Sequence, residues 1–326
     1  MPFSIGPRRW LDFLQREYLD TFVLDGGAAV KFAVPLDDEA RAYLGDELGR
    51  CAEERGYLVV RVSSANTRVH MIEQVFFRIA EQVPWQHLSH RVITKLAAAE
   101  GYAPSSDGEG PLFRRIAEEN RVEPDYLLME LRRKLATEVL QQSGLAKDFR
   151  MAMTQLCRAE LTGGPEGVTT TQVLTDWLTG RNRAVAAVKP YQIFSRIQRT
   201  NARYLLESLL HWVRFSGFAG MVMLCDIGRL SLARNPRDER LYYSKAAVLD
   251  TYEVLRQFID STDRLQGCLV VVVPDPDFLD EDGFGRGIGA YEALKFRVFD
   301  EVRDERLVNP MASLVRLESA ADGGDA

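Results

Sequence analysis

The chain has 326 residues, of which 46% are hydrophobic and 27% are charged, and its formal net charge is −6. This composition is typical of one large or two modest globular domains with a substantial core. The negative net charge excludes a globally basic nucleic-acid-binding protein, so contact with DNA would need a local basic patch. Because no segment approaches 18 uninterrupted apolar residues and the N-terminus has no long apolar run, we expect a cytoplasmic protein without a membrane helix or signal peptide.

The first 84 residues alternate between helical patterns and short apolar runs bounded by turns. Asp25, Gly26 and Gly27 form a turn signal, and Gly56 is the expected C-cap of the helix that precedes it. The patterns predict helices over residues 8–19, 38–55 and 71–83, and strands over 22–24, 30–34 and 57–63.

The middle of the chain is nearly all helical in pattern. Its polar, glycine-rich interruptions are residues 104–110 and 162–167. A helix over 201–215 then leads through a glycine turn into a second strong strand, over residues 221–225.

The last third returns to an alternation of helices and strands. Its patterns predict a charged loop at 234–240, a helix over 242–261, a buried strand over 268–273, an acidic, glycine-rich loop at 274–289, a helix over 290–302, a strand over 313–317 and a disordered tail at 318–326.

Apolar runs separated by helices predict a parallel α/β sheet with crossover helices. The predicted domains are a first part of the core at 1–84, a helical insertion at 85–215 and a second part of the core at 216–317.

The turn from the first core strand into its helix lacks the residues that hold a phosphate. A phosphate loop needs glycines, a lysine and a Ser/Thr hydroxyl, and the stretch P-L-D-D-E-A-R-A from Pro35 to Ala42 contains none of them. Asp37, Asp38 and Glu39 instead supply negative charge at the helix start, where they can cap free N–H groups and repel a triphosphate. We therefore expect no nucleotide at this turn.

Two other positions offer weaker signals for nucleotide chemistry. Asp226 ends a buried strand, where an acidic residue can hold magnesium through water, but the next residue is Ile227, which cannot act as a base. Arg286 lies in the glycine-dense loop G-F-G-R-G-I-G, which we expect to be flexible, and it could contact a partner subunit or a phosphate.

Basic residues predict one further surface. Arg196, Arg199 and Arg203 are spaced three and four apart, so on a helix they would share a face that could contact nucleic acid or an acidic partner.

Metal ligands are not predicted. His87 and His90 could share a helix face, but neither a nearby cysteine nor an H-E-x-x-H pattern accompanies them. The cysteines show no C-x-x-C spacing, so neither a zinc site nor a disulfide framework is expected.

Taken in order, several segments resemble the P-loop ATP-binding proteins of bacteriophage exclusion (BREX) systems, a family related to AAA+ ATPases. The similar segments are G-G-A-A-V-K-F at 26–32, G-Y-L-V-V-R-V-S at 56–63, D-W-L-T-G at 176–180, the helix, glycine turn and Walker B strand at 201–226, Y-E-V-L-R-Q-F-I-D at 252–260 and L-V-V-V-V-P-D-P-D-F at 269–278. The resemblance implies a P-loop NTPase (AAA+-like) parallel-sheet core with a large helical insertion.

The chain departs from the family pattern where catalysis would occur. In the degenerate Walker A segment, Arg41 stands at the position of the lysine, Ala40 at that of the preceding glycine and Ala42 at that of the magnesium-binding hydroxyl. In the Walker B region Asp226 remains, but Ile227 takes the place of the glutamate.

These departures predict a pseudo-ATPase without cofactor. It would serve as a scaffold or regulatory subunit of an anti-phage or DNA-associated complex, paired with an active ATPase paralogue, with another defence-system subunit or with copies of itself. One alternative is an active ATP-binding switch that uses Mg²⁺ and the unusual residues Lys31, Asp226 and Arg286. Another is a DNA-binding adaptor that uses the arginine face.

Overall fold

The computed structural model describes residues 4–104, 110–230, 242–299 and 309–319 of the chain. It divides into two compact units, one formed by Met1–Ile79 and Phe218–Ala326 and the other by Ala80–Gly217. The second unit is thus inserted into the sequence of the first. The boundaries predicted from the sequence lie close by, at 84/85 and 215/216.

The first unit is built on one sheet of five parallel strands, in the order β2-β3-β4-β1-β5. A parallel sheet needs a crossover between successive strands, and helices supply it here. This architecture confirms the predicted α/β core. The strands are β1 (Ala28–Pro35), β2 (Tyr57–Ser63), β3 (Gly220–Asp226), β4 (Cys268–Val273) and β5 (Leu314–Leu317).

Helices make up the rest of the regular structure. A π-helical turn, Gln15–Phe22, continues the first helix, and no helix among the described residues is both long and apolar enough to cross a membrane. In chain order the helices are α1 (Pro7–Leu14), α2 (Asp38–Glu54), α3 (Ile72–Ala80), α4 (Trp85–Ala99), α5 (Leu112–Asn120), α6 (Pro124–Leu135), α7 (Lys147–Thr162), α8 (Gly164–Leu178), α9 (Val185–Val188), α10 (Ala202–Phe215), α11 (Lys245–Ile259) and α12 (Glu292–Val298).

Two predicted elements are wrong. The predicted strand at 22–24 consists instead of the last π-helical residue, Phe22, and a turn in which the N–H of Val23 donates to the carbonyl of Tyr18 at 2.8 Å. The predicted interruption at 162–167 shrinks to Gly163, since α8 begins at the next residue and carries Pro165 in its first turn, where proline is tolerated.

Four predictions fall wholly or partly outside the described residues. These are the charged loop at 234–240, most of the interruption at 104–110, the last three residues of the helix over 290–302 and the tail beyond residue 319. Of the tail, Glu318 and Ser319 are described. The N–H of Glu318 donates to the carbonyl of Ile5 at 3.1 Å, and its carboxylate accepts from the hydroxyl of Ser4 at 3.0 Å.

One apolar core lies between the sheet and the helices α1 and α2. Trp10 and Leu14 of α1 and Leu44 of α2 are fully buried with Leu269 and Val271 of β4. All six residues of β4 are buried, as expected for a central strand covered on both faces. This packing holds the carboxyl ends of β3 and β4 beside the start of α2.

The second unit has its own helical core. Trp85 of α4 meets Phe149 of α7 edge to face, with ring centroids 6.3 Å apart, and Trp177 of α8 is buried. The described part of this unit contains no β-strand.

Candidate functional site at the carboxyl edge of the sheet

The connection between β1 and α2 is only two residues long, Leu36 and Asp37. Asp37 is the N-cap of the helix, and its carboxylate accepts a hydrogen bond from the N–H of Ala40 at 2.8 Å. This N–H and the hydroxyl of Ser319 hold the pKa of the Asp37 carboxyl below its usual value. An internal carboxylate therefore sits where a helix N-terminus would otherwise offer its amides to an anion.

Arg41, in the first turn of α2, extends its guanidinium to the carboxyl ends of two strands. Nη1 donates to Oδ1 of Asp226 at 2.7 Å and to the carbonyl of Val273 at 3.0 Å, and Nη2 donates to the carbonyl of Pro274 at 2.7 Å. The side chain is only 20% exposed, and Asp38 lies 3.9 Å from Nε. One cation thus binds the ends of β3 and β4.

Asp226 lies at the last position of β3. Its Oδ1 accepts from Arg41 and also from the N–H of Gly228 at 3.0 Å. A Cβ at Gly228 would come within 2.9 Å of the Arg41 guanidinium, so a side chain here would have to push the guanidinium aside. Arg41 and Asp226, singled out separately in the sequence, therefore form one ion pair.

The other residues of the predicted phosphate-loop remnant do not join this pair through their side chains. Pro35 is buried at the end of β1, beside Leu317 of β5, and Ala40 is buried. Ala42 is exposed, and Ile227 after Asp226 is buried.

Lys31 occupies a separate environment inside β1. Its ammonium donates to the carbonyls of Met311 at 2.5 Å and Ala312 at 3.2 Å and lies 4.9 Å from the ring centroid of Tyr18. Burial lowers the pKa of Lys31 to about 8. These contacts connect β1 to the segment before β5, and they share no residue with those of Asp226.

Arg286 is also bound within the protein. It donates to the carbonyl of Tyr243 at 2.8 Å and to the hydroxyl of Tyr242 at 3.2 Å. The glycine-rich loop around it was expected to be flexible, but it has a regular set of internal hydrogen bonds and short 3-10 turns at Pro276–Leu279 and Ile288–Ala290.

The arginine face predicted for Arg196, Arg199 and Arg203 is wrong, because α10 begins only at Ala202. The side chain of Asn201 accepts a hydrogen bond from the N–H of Gln198 and donates one to the carbonyl of Arg196. These two bonds hold the segment before α10 in a loop. Only Arg203 lies on the helix, where it faces Glu207 at 3.4 Å.

The histidines and cysteines form no metal cluster of three or more ligands within the described residues. His90 Nδ1 lies 3.1 Å from Oε1 of Glu160. The four cysteines are buried and unpaired with one another, and burial raises the pKa of the Cys225 thiol to about 12.

Residues 113–322 match the model of a protein family described as BREX system ATP-binding protein BrxC/D. The chain belongs to this family. Membership makes it a component of a phage-defence system that works with the other BREX subunits, and it assigns the parallel sheet to the P-loop type, as the resemblance implied. No curated protein and no solved structure matches the chain.

The match to the BREX family covers β3 and the segments around β4, but it begins after the connection between β1 and α2. The correspondence between Arg41 and a Walker A lysine therefore stays a prediction. Sequence reasoning missed the carbonyls of Val273 and Pro274 as partners of Arg41, since main-chain acceptors leave no signature in the sequence.

Proposed function

We propose that this BREX family member neither binds nor hydrolyses ATP and acts instead as a scaffold or regulatory subunit of its system. The observation that carries the proposal is the Arg41 guanidinium, bound to Asp226 and to the carbonyls of Val273 and Pro274. It lies at the carboxyl edge of the sheet, which is the usual ligand position in an open α/β fold.

The connection between β1 and α2 supports the proposal because it has few free N–H groups with which to bind a phosphate. A phosphate loop curls several backbone N–H groups around its ligand. Here Pro35 has no N–H, that of Leu36 donates to the carbonyl of Leu317, and that of Ala40 donates to Asp37. An arriving phosphate would also meet the carboxylates of Asp37 and Asp38, and like charges at such short range repel by roughly a few kcal/mol.

The residues at the position expected for magnesium binding give independent support. Asp226 Oδ1 already accepts from Arg41 and from the N–H of Gly228, so a cation at this carboxylate would lie beside the positive charge of the guanidinium. Ile227, buried at the next position, offers no carboxylate to polarise a water molecule. These residues do not fit Mg²⁺–ATP, and we derive no catalytic step through it.

The active switch built on Lys31, Asp226 and Arg286 has less support. Lys31 contacts the segment before β5, Asp226 contacts Arg41, and Arg286 contacts Tyr242 and Tyr243. Three side chains with separate partners do not converge on a ligand.

Isothermal titration of the full chain with Mg²⁺–ATP tests the proposal. We expect no saturable binding in the micromolar range, either for the wild type or for Arg41→Ala, because removal of the guanidinium supplies neither glycines nor a lysine. An active BREX ATPase serves as the positive control. Micromolar binding by the wild type, or ATP hydrolysis that disappears in Asp226→Ala, would contradict the proposal and favour the switch.

A further inference from the structure

Phe284 protrudes from the loop that follows β4. Its side chain is 91% exposed, the highest value among the exposed large apolar side chains of the described residues. The ring leaves nearly all of its apolar surface in water, so its burial against another molecule would be favourable.

The backbone of Phe284 is held on both sides. Its N–H donates to Oδ1 of Asp282 at 3.0 Å, and its carbonyl accepts from Nζ of Lys245 at 2.8 Å. Two residues further on, the carbonyl of Arg286 accepts from the hydroxyl of Tyr252 at 2.6 Å. The ring is therefore presented from a fixed backbone.

Glycines allow the loop to fold this tightly. A Cβ at Gly289 would lie 2.2 Å from the carbonyl carbon of Glu281, and one at Gly287 would lie 2.3 Å from the carbonyl oxygen of Asp280. The two arms of the loop thus pack backbone against backbone. Such preorganisation lowers the entropy cost of binding a partner, which suits an anchor residue.

The surroundings of Phe284 carry more acidic than basic side chains, and the nearby Lys245 and Arg286 direct their cationic groups to main-chain carbonyls. Asp280 and Asp282 accept hydrogen bonds from backbone N–H groups of the same loop, and Asp277 lies one turn earlier. Within the described part of the chain, no basic side chain forms an ion pair with these three carboxylates. A negatively charged border disfavours nucleic acid and favours a surface that carries Lys or Arg.

We propose that Phe284 is the anchor of a docking surface for another subunit of the same BREX system, one that offers an apolar pocket bordered by basic side chains. The inference rests on the proposed scaffold role and gives that role a surface. Arg41 also contacts the start of this loop, because its guanidinium binds the carbonyl of Pro274, the first residue after β4.

The test compares two exposed phenylalanines of the first unit. The tagged full chain is co-expressed with the other subunits of its BREX system, and the affinity of the co-purified subunit is measured by surface plasmon resonance. We expect Phe284→Ser to weaken binding by at least about tenfold. Phe296→Ser, at a side chain that is 72% exposed, should change affinity less than about twofold.

A charge-reversal variant tests the acidic border. Asp277→Lys should lower the affinity relative to the wild type, and this loss should be larger at low salt than at high salt. At high salt, screening weakens the electrostatic attraction that the substitution removes. Equal binding by Phe284→Ser and the wild type would overturn the proposal. So would co-purification of no subunit, loss of self-association alone, or DNA binding that depends on Phe284.

The proposed scaffold role and the proposed docking surface can be disproved by different results. Micromolar ATP binding by the wild type would contradict the scaffold role while leaving a Phe284-dependent affinity intact. Unchanged affinity in Phe284→Ser, with no ATP binding, would remove this surface alone.

Discussion

Two arginines of α2 show how little the residue type alone determines a role. Arg50 pairs with Glu47 and Glu54 on the exposed face of the helix. Arg41, earlier in the same helix, reaches a carboxylate and two main-chain carbonyls at the ends of β3 and β4. Surface pairs contribute little to stability, whereas hydrogen bonds from a largely buried charged group contribute more.

We therefore expect Arg41→Ala to lower the free energy of unfolding by about 2 kcal/mol. Arg50→Ala is the matched control in the same helix and should have little effect. Urea unfolding followed by circular dichroism measures both. Equal effects of the two substitutions would show that the Arg41 contacts do not stabilise the edge of the sheet.

At the scale of an element, the loop between β4 and α12 depends on the close approach of its arms. Gly289 packs against the backbone of Glu281, whereas a Cβ at Gly283 would have its nearest neighbouring atom 3.8 Å away, at an ordinary contact distance. The same substitution at these two glycines should therefore have different consequences.

Gly289→Ala should destabilise the protein by about 1–3 kcal/mol, the usual cost of forcing a methyl group into a packed region. Gly283→Ala should be nearly neutral. Thermal unfolding and limited proteolysis of the loop compare the two variants. A Gly289→Ala protein as stable and as protease-resistant as Gly283→Ala would refute the tight packing.

At the scale of the whole molecule, the buried Lys31 makes stability depend on pH. Burial lowers its pKa to about 8 from the ordinary value of 10.5. Between these two values the unfolded chain binds more protons than the folded chain. Stability therefore rises with pH across this window, and the penalty for the buried charge is fully present below it.

The free energy of unfolding of the wild type, relative to that of Lys31→Met, should increase by up to about 3 kcal/mol from pH 8 towards pH 10.5. Urea unfolding at several pH values measures both curves, and the methionine variant controls for the other titrating groups. Parallel curves would mean that Lys31 keeps an ordinary pKa in the folded protein.

Local patterns predicted much of the sheet. The strands at Tyr57–Ser63 and Cys268–Val273 were predicted to the residue, because apolar β-branched runs bounded by turns have few alternatives. The pairing of Arg41 with Asp226 was not predicted, since 185 residues separate them in the sequence. The arginine face failed because its spacing fits a helix that begins only at Ala202.

The two-residue connection between β1 and α2 also limits how this protein can change. A phosphate loop needs about five residues of non-helical chain before its lysine, and here the helix has already begun at Asp38. Exchange of single side chains leaves the length of this connection as it is. If the proposed function is correct, a phosphate loop at this turn would require insertion of residues or unwinding of the first turn of α2, and point mutation alone would not supply it.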